Sequence, residues 1–329
     1  MIGFKEFLGN EQIKDHFRQA IQSKKVSHAY ILAGEAGMGK KTLARAFAMA
    51  LQCRKEDFEP CNECHSCKQF LTNNHPDVIY VSHEKPGSIG VDDVRQQINR
   101  DIVIKPYSGP YKIYIMDEAE KMTVQAQNAL LKTIEEPPSY GIILLLTTNA
   151  EAFLPTILSR CILLKLTPLY DGKVWDYLVD TIGVQKETAD ICTALARGNL
   201  GKAIRLSSSP EFAEMKESVL HFLQYLKEMD ISELLGFIKK MNEQKKDSNE
   251  YLDFIQIWYR DVLMLKVTND INLLIFKDQY QILNKIAQTS SFQGLEHIIG
   301  AIDKAKIRLE ANVNFELAIE LMLLVMKEN

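Results

Sequence analysis

Two groups of residues in this chain have the types and spacing to do chemistry. The first is GEAGMGKKT, Gly34 to Thr42, in which Gly34, Gly39 and Lys40 satisfy G-x-x-x-x-G-K and Gly37 loosens the loop further. A glycine-rich turn between a strand and a helix points backbone N–H groups at phosphate, and the helix N-terminus adds favourable dipole charge. Such loops place a Ser or Thr directly after the lysine, where the hydroxyl helps hold Mg²⁺. Here Lys41 follows Lys40 and the hydroxyl comes one place late, at Thr42. Successive helix residues are rotated by roughly 100°, so Thr42 does not simply replace a hydroxyl at position 41. The apolar run IYIMDEAE supports the reading, since it ends in Asp117, suited to a place near Mg²⁺, and Glu118, suited to orienting an attacking water. Phosphate binding is expected and efficient hydrolysis is not, which leaves ATP and Mg²⁺ as an open question.

The second group is CRKEDFEPCNECHSC, which spaces Cys53, Cys61, Cys64 and Cys67 by seven, two and two residues. Two-residue gaps turn neighbouring thiolates onto one tetrahedral ion, and four thiolates suit structural zinc. An iron–sulfur cluster is the alternative, but its sequence run needs a further cysteine followed by proline, and Leu71 and Thr72 stand there. His65 and His75 are substitute ligands in reserve. With four of the six cysteines in this cluster, a reducing compartment and a metal are expected before disulfides.

The elements that must hold these groups are legible from periodicity. Ile13, Phe17, Ala20 and Ile21 recur at helical spacing, which predicts a helix over 11–22. Strand-like runs fall at AYILAG, DVIYVS, KIYIMD, IILLLTT and ILLKL, beginning at Ala29, Asp77, Lys112, Ile142 and Ile162. A helix over 124–135 is expected to start at the N-cap Thr123 and to stop at Pro137 and Pro138. Five apolar strands separated by helices argue a parallel sheet covered on both sides. After Pro168 the pattern is helical to the end, with glycines at 183, 198 and 201 as punctuation.

At 329 residues the chain is expected to hold more than one domain. Its 46% apolar and 25% charged residues are ordinary for a globular protein in water, and its net charge of -4 argues against a chain that wraps nucleic acid alone. The N-terminus lacks a basic stretch followed by an apolar run, and LMLLVM, Leu321 to Met326, is too short to span a bilayer. A cytoplasmic location without membrane contact is expected.

HAYILAGEAGMGK, IYIMDEAEKMTVQAQNALLKTIEEPP and LLTTNAEAFLPTILSRC together resemble the bacterial DNA polymerase III clamp-loader subunits of the AAA+ class. The resemblance implies a P-loop domain over 1–167 with a zinc module at 53–67, a small helical lid over 168–208 and a helical collar over 209–329. It implies that Asn149 senses the γ-phosphate and that Arg160 of Ser-Arg-Cys reaches in trans into a neighbour's ATP site. It also implies a lid arginine that senses ATP, and Gly201 stands in its place, with Lys202 and Arg205 out of register. Two losses in the chain's own site beside an intact Arg160 resemble the delta-prime type, a poor ATPase, rather than the hydrolysing gamma or tau type. Partners would then be gamma or tau, delta, the sliding clamp and primed DNA, the last two through the assembly. A hydrolysing subunit rescued by Thr42, and a zinc-dependent adaptor on a decayed ATPase fold, are the rival readings. The Glu135–Glu136 pair runs against the dipole of its helix, which suggests either a role beyond stability or a solvated pair without one.

Overall fold

The computed structural model describes residues 3–55, 58–83, 85–243 and 248–329, so Glu56 and Asp57 of the cysteine-rich segment lie outside the described residues. Residues up to Leu169 together with Asn199–Gly201 form one compact unit, and Tyr170–Gly198 with Lys202 onwards form a second.

The first unit is built on five strands, β1 (Ala29–Ala33), β2 (Val78–Val81), β3 (Lys112–Met116), β4 (Gly141–Thr147) and β5 (Ile162–Lys165). All are parallel, in the order β2-β3-β4-β1-β5. Every residue of β1, β3 and β4 is buried, which is why these segments read as unbroken apolar runs. Successive side chains nonetheless alternate between two cores. Tyr30, Leu32, Ile113, Ile115, Leu144 and Leu146 face α1 (Glu11–Gln22) and α2 (Lys40–Leu51), where Phe17 stacks on Phe47 at 3.9 Å between ring centroids. Ile31, Tyr114, Met116, Ile143 and Leu145 face Val94, Ile98, Ala126, Leu130 and Ile134 on the other side. These last belong to α4 (Val91–Val94), its π-helical continuation Arg95–Asn99, and α5 (Val124–Glu135). A fully buried aliphatic or aromatic side chain contributes about 1.5–3 kcal/mol, so the two faces together hold the sheet rigid under the site.

Local signals set the element ends. Thr123 caps α5 by accepting from the Ala126 N–H at 3.1 Å, as its position predicts. The short helix α3 (His65–Leu71) is capped by Cys64, and α6 (Pro155–Leu158) starts on its proline. Because β1 lies between β4 and β5, the chain reverses its direction of travel across the sheet beside β1, and the carboxyl ends of β1, β3 and β4 open onto one crevice.

The second unit is helical: α7 (Asp171–Asp176) with its continuation to Ile182, α8 (Lys186–Ala196), α9 (Leu200–Ser208), α10 (Pro210–Tyr225), α11 (Ile231–Glu243), α12 (Ser248–Thr268), α13 (Tyr280–Thr289), α14 (Phe292–Glu310) and α15 (Phe315–Glu328). The first residues of α9 belong to the first unit. Its core centres on Trp258, Tyr251, Phe254 and Phe276, all fully buried. No described helix is long and apolar enough to cross a membrane.

Candidate functional site

The glycine loop connects β1 to α2, with Gly37 and Gly39 at φ 90° and 88°, a region that only glycine enters at no cost. Lys40 opens α2 and is 8% exposed. Its ammonium donates to the carbonyls of Gly34 at 2.6 Å and Glu35 at 2.9 Å. Burial holds the Lys40 pKa below the ordinary lysine value, against the opposing pull of Asp117, Glu120 and Glu35. The loop, Thr42, Asp117, Glu118, Glu120 and the Leu146–Thr148 end of β4 line a cleft of about 410 Å³. Lys41 lines it too, with Nζ 3.8 Å from Asp117 Oδ2. A side-chain cation therefore stands beside the carboxylate that the sequence suggested for a place near Mg²⁺.

The loop is clasped from within its own unit. Asn199 Nδ2 donates to the Ala36 carbonyl at 2.8 Å, and the Gly201 N–H donates to the Gly37 carbonyl at 3.2 Å. A Cβ on Gly201 would lie 2.3 Å from that Gly37 oxygen. No side chain fits at 201 unless the loop moves.

The ends of β3 and β4 carry two residues singled out from the sequence. Glu118 has φ 50°, a left-handed turn at the end of β3 that directs its carboxylate to Lys121 at 2.7 Å and His83 at 3.8 Å. Glu120, which the sequence did not single out, instead accepts from the Thr148 hydroxyl at 2.5 Å and the Thr148 N–H at 3.3 Å. Burial acts to raise the Glu120 carboxyl, but the Thr148 hydroxyl and neighbouring donors outweigh it and hold the group below its ordinary value. Asn149 was expected to face the γ-phosphate. Its side-chain oxygen accepts from the Glu151 N–H at 2.9 Å and caps the turn Ala150–Ala152, while Thr147 and Thr148 form the cleft wall.

Arg160 follows α6 and does not line the cleft. Its Nη1 donates to the Thr156 carbonyl at 3.1 Å and to Ser159 Oγ at 3.2 Å, and its Nη2 lies 3.0 Å from Glu135 Oε1. The sequence left open whether Glu135 does anything; it pairs with this arginine.

The sulfurs of Cys53, Cys61, Cys64 and Cys67 all lie within 4.8 Å of one another. Cys61 Sγ and Cys67 Sγ are 3.8 Å apart, which matches the edge of about 3.8 Å of a tetrahedron with metal–sulfur bonds near 2.3 Å. The N–H groups of Cys61, Cys64 and Cys67 donate to the sulfurs of Cys53, Cys61 and Cys64 at 3.4, 3.3 and 3.5 Å. Donation from the Glu63 and Cys64 N–H groups draws the Cys61 thiol down to about 6, whereas burial pushes Cys53 and Cys67 up. His75 is engaged elsewhere, with Nε2 3.0 Å from Ser66 Oγ and Nδ1 accepting from the Asp77 N–H at 3.2 Å. The donor set is four thiols, and it fits a metal ion.

The DNA polymerase III delta subunit family model matches residues 9–170, and its C-terminal companion matches 212–328. The DNA polymerase III subunit delta' of Bacillus subtilis is 30% identical over 94% of this chain and 93% of its own length. The chain belongs to the family of DNA polymerase III clamp-loader subunits. The tau subunit of the same bacterium is 27% identical over 92% of this chain, but only 57% of tau is spanned. Among solved structures, a gamma-subunit-related protein of Thermotoga maritima is 19% identical, covers 97% of this chain and 98% of its own, and has a TM-score of 0.43.

The cations that follow Gly201 in sequence are Lys202 and Arg205. Both are held inside the second unit by carboxylates of α12: Lys202 Nζ lies 3.9 Å from Asp253 Oδ2, and Arg205 pairs with Glu250. Of the residues singled out from the sequence, Gly37, Gly39, Lys40, Thr42, Asp117 and Glu118 line one cleft and Gly34 does not, and the Glu118 carboxylate pairs with Lys121. Asn149 and Arg160 stand apart from it.

Proposed function

We propose that this chain is the delta-prime kind of clamp-loader subunit. In this reading it hydrolyses little or no ATP, offers Arg160 to the ATP of a neighbouring gamma or tau subunit, and helps the assembly with delta to load the sliding clamp on primed DNA in the cytoplasm. The observation that carries the reading is Lys41 beside Asp117 at 3.8 Å, a cation built into the place of the missing metal ligand. Arg160, by contrast, keeps a guanidinium that can stabilise charge on a transferring phosphoryl group in another subunit. The three-part division into P-loop domain (1–167), lid (168–208) and collar (209–329) goes with this reading, as does a zinc ion on Cys53, Cys61, Cys64 and Cys67. The zinc is structural, because four protein thiolates leave no position for a substrate.

A second reading, a hydrolysing gamma or tau type, is favoured by Thr42 lining the cleft and by the tau relative. Steady-state ATP hydrolysis separates the two. The delta-prime reading expects no turnover by the chain alone, and a fall in the rate of the complete assembly on Arg160→Ala. Turnover by the isolated chain that disappears on Lys40→Ala would replace it with the second reading.

A further inference from the structure

We propose that Glu135 is the positioning residue for Arg160, aiming the guanidinium at the neighbouring subunit's phosphate. The inference rests on the trans-acting role of Arg160 given above.

A carboxylate at the last residue of α5 faces that helix's unpaired carbonyls, where the dipole disfavours negative charge. Arg160 Nη2, 3.0 Å from that carboxylate, offsets the unfavourable charge. The guanidinium is held at a second edge by the Thr156 carbonyl at 3.1 Å and Ser159 Oγ at 3.2 Å. Acceptors from two separate elements, the ends of α5 and α6, thus fix one planar group. A guanidinium carries five N–H donors in a rigid fork, so fixing one side sets the direction of the rest. Three of the five are engaged by these acceptors, leaving donors for a phosphoryl oxygen.

Magnitude decides between a guide and a latch. Both side chains are about half exposed, 40% for Arg160 and 46% for Glu135. An exposed pair of this kind shifts an equilibrium by at most about fivefold. That is too little to keep an arginine from a triphosphate, yet enough to select one arrangement of a long side chain before the phosphate arrives. Removing the pair therefore loses preorganisation, and ordering a rotamer-rich side chain afresh costs a factor of roughly three to ten.

The test is steady-state ATP hydrolysis by the reconstituted assembly of this chain, its gamma or tau neighbour, delta, clamp and primed DNA. Glu135→Ala is expected to lower kcat about three- to fivefold, by the same principle, with KM within about twofold of wild type. Glu135→Gln, whose amide oxygen still accepts from Nη2, should recover most of the rate. Arg160→Ala should cost more, and the double variant Glu135→Ala/Arg160→Ala no more than Arg160→Ala alone. A rate unchanged by Glu135→Ala while Arg160→Ala lowers it would overturn the positioning role and leave the trans-acting role standing. A rise in rate would make Glu135 a latch, and additive losses would make it a purely structural residue; either overturns the proposal. Indifference to Arg160→Ala would remove the underlying reading itself. Glu135→Gln keeps the test open if the alanine variant misfolds.

Discussion

Replacing Lys41 by threonine tests whether, as the delta-prime reading holds, the glycine-loop cleft is kept from Mg²⁺-dependent ATP binding by that residue. Lys41 Nζ and Asp117 Oδ2 are 3.8 Å apart, with the two side chains 59% and 48% exposed. At that separation a unit pair in water's dielectric is attractive by about 1 kcal/mol, which is also the upper end for exposed pairs. A divalent ion that takes Asp117 must displace the ammonium, so the pair weakens Mg²⁺-dependent binding by up to about fivefold. Lys41→Met removes the pair and returns that factor alone. Lys41→Thr also puts a hydroxyl in register and should tighten binding beyond the methionine variant. The assay is equilibrium titration with a fluorescent ATP analogue in Mg²⁺ and in EDTA. Wild type should bind equally weakly in both, and Lys41→Thr should gain affinity in Mg²⁺ only. Turnover should stay absent, because Glu118 remains paired with Lys121 and no side chain fits at Gly201. If Lys41→Thr binds no better in Mg²⁺ than in EDTA, the defect does not lie at this position.

Three further outcomes are expected. Gly201→Ala drives a Cβ to 2.3 Å from the Gly37 oxygen, so it should lower stability by about 1–3 kcal/mol in urea unfolding and speed amide exchange in the glycine loop. Asp77 is 1% exposed and accepts from the N–H groups of Tyr107, Ser108 and Gly109 at 2.5, 2.7 and 2.9 Å; burial acts to raise its carboxyl, but these donors hold it below the usual range. Its stabilising contribution is therefore complete above its unfolded-state pKa of about 3.9 and is lost as pH falls through the lower folded value. Asp77→Asn, which turns an NH₂ towards at least one of these N–H groups, should cost roughly 1–2 kcal/mol at pH 7 and flatten the acid limb of the stability curve; an unaltered limb would assign that limb to other groups. Metal analysis should find one zinc per chain, lost in Cys64→Ser together with a lower melting temperature, and iron with visible absorption would overturn the zinc reading.

What the sequence showed plainly was whatever depends on period and on local chain chemistry. The helices over 11–22 and 124–135 stand where spacing, cap and prolines put them, and the five apolar runs became five parallel strands. The four cysteines converge as their gaps require. What it hid depends on a single backbone turn or on contacts distant in the chain. A φ of 50° at Glu118 turns the end of β3 so that Glu120, not Glu118, meets the Thr148 hydroxyl. Periodicity cannot register one left-handed residue. The same limit applies to Asn149, whose short amide could equally face the cleft or cap the next turn, and caps the turn. The pairing of Glu135 with Arg160, and of Gly201 with Gly37, joins segments that no local pattern relates.

In the delta-prime reading the departures of this chain from a hydrolysing site fall on one side of a division of labour. In that reading Lys41, Glu118 and Gly201 stand at the positions that would bind a metal, order a water and sense a nucleotide. Arg160, which the cleft does not use, keeps three acceptors around its guanidinium. In the delta-prime reading this asymmetry has a physical sense. A subunit that cycles nucleotide needs a loop free to open, close and reorganise around phosphate. A subunit that only presents an arginine gains from the opposite, since every degree of freedom removed before the neighbour's transition state forms is one that need not be ordered in it. The Asn199 and Gly201 clasp on the loop and the Glu135 hold on Arg160 are then two expressions of one demand, rigidity in place of turnover.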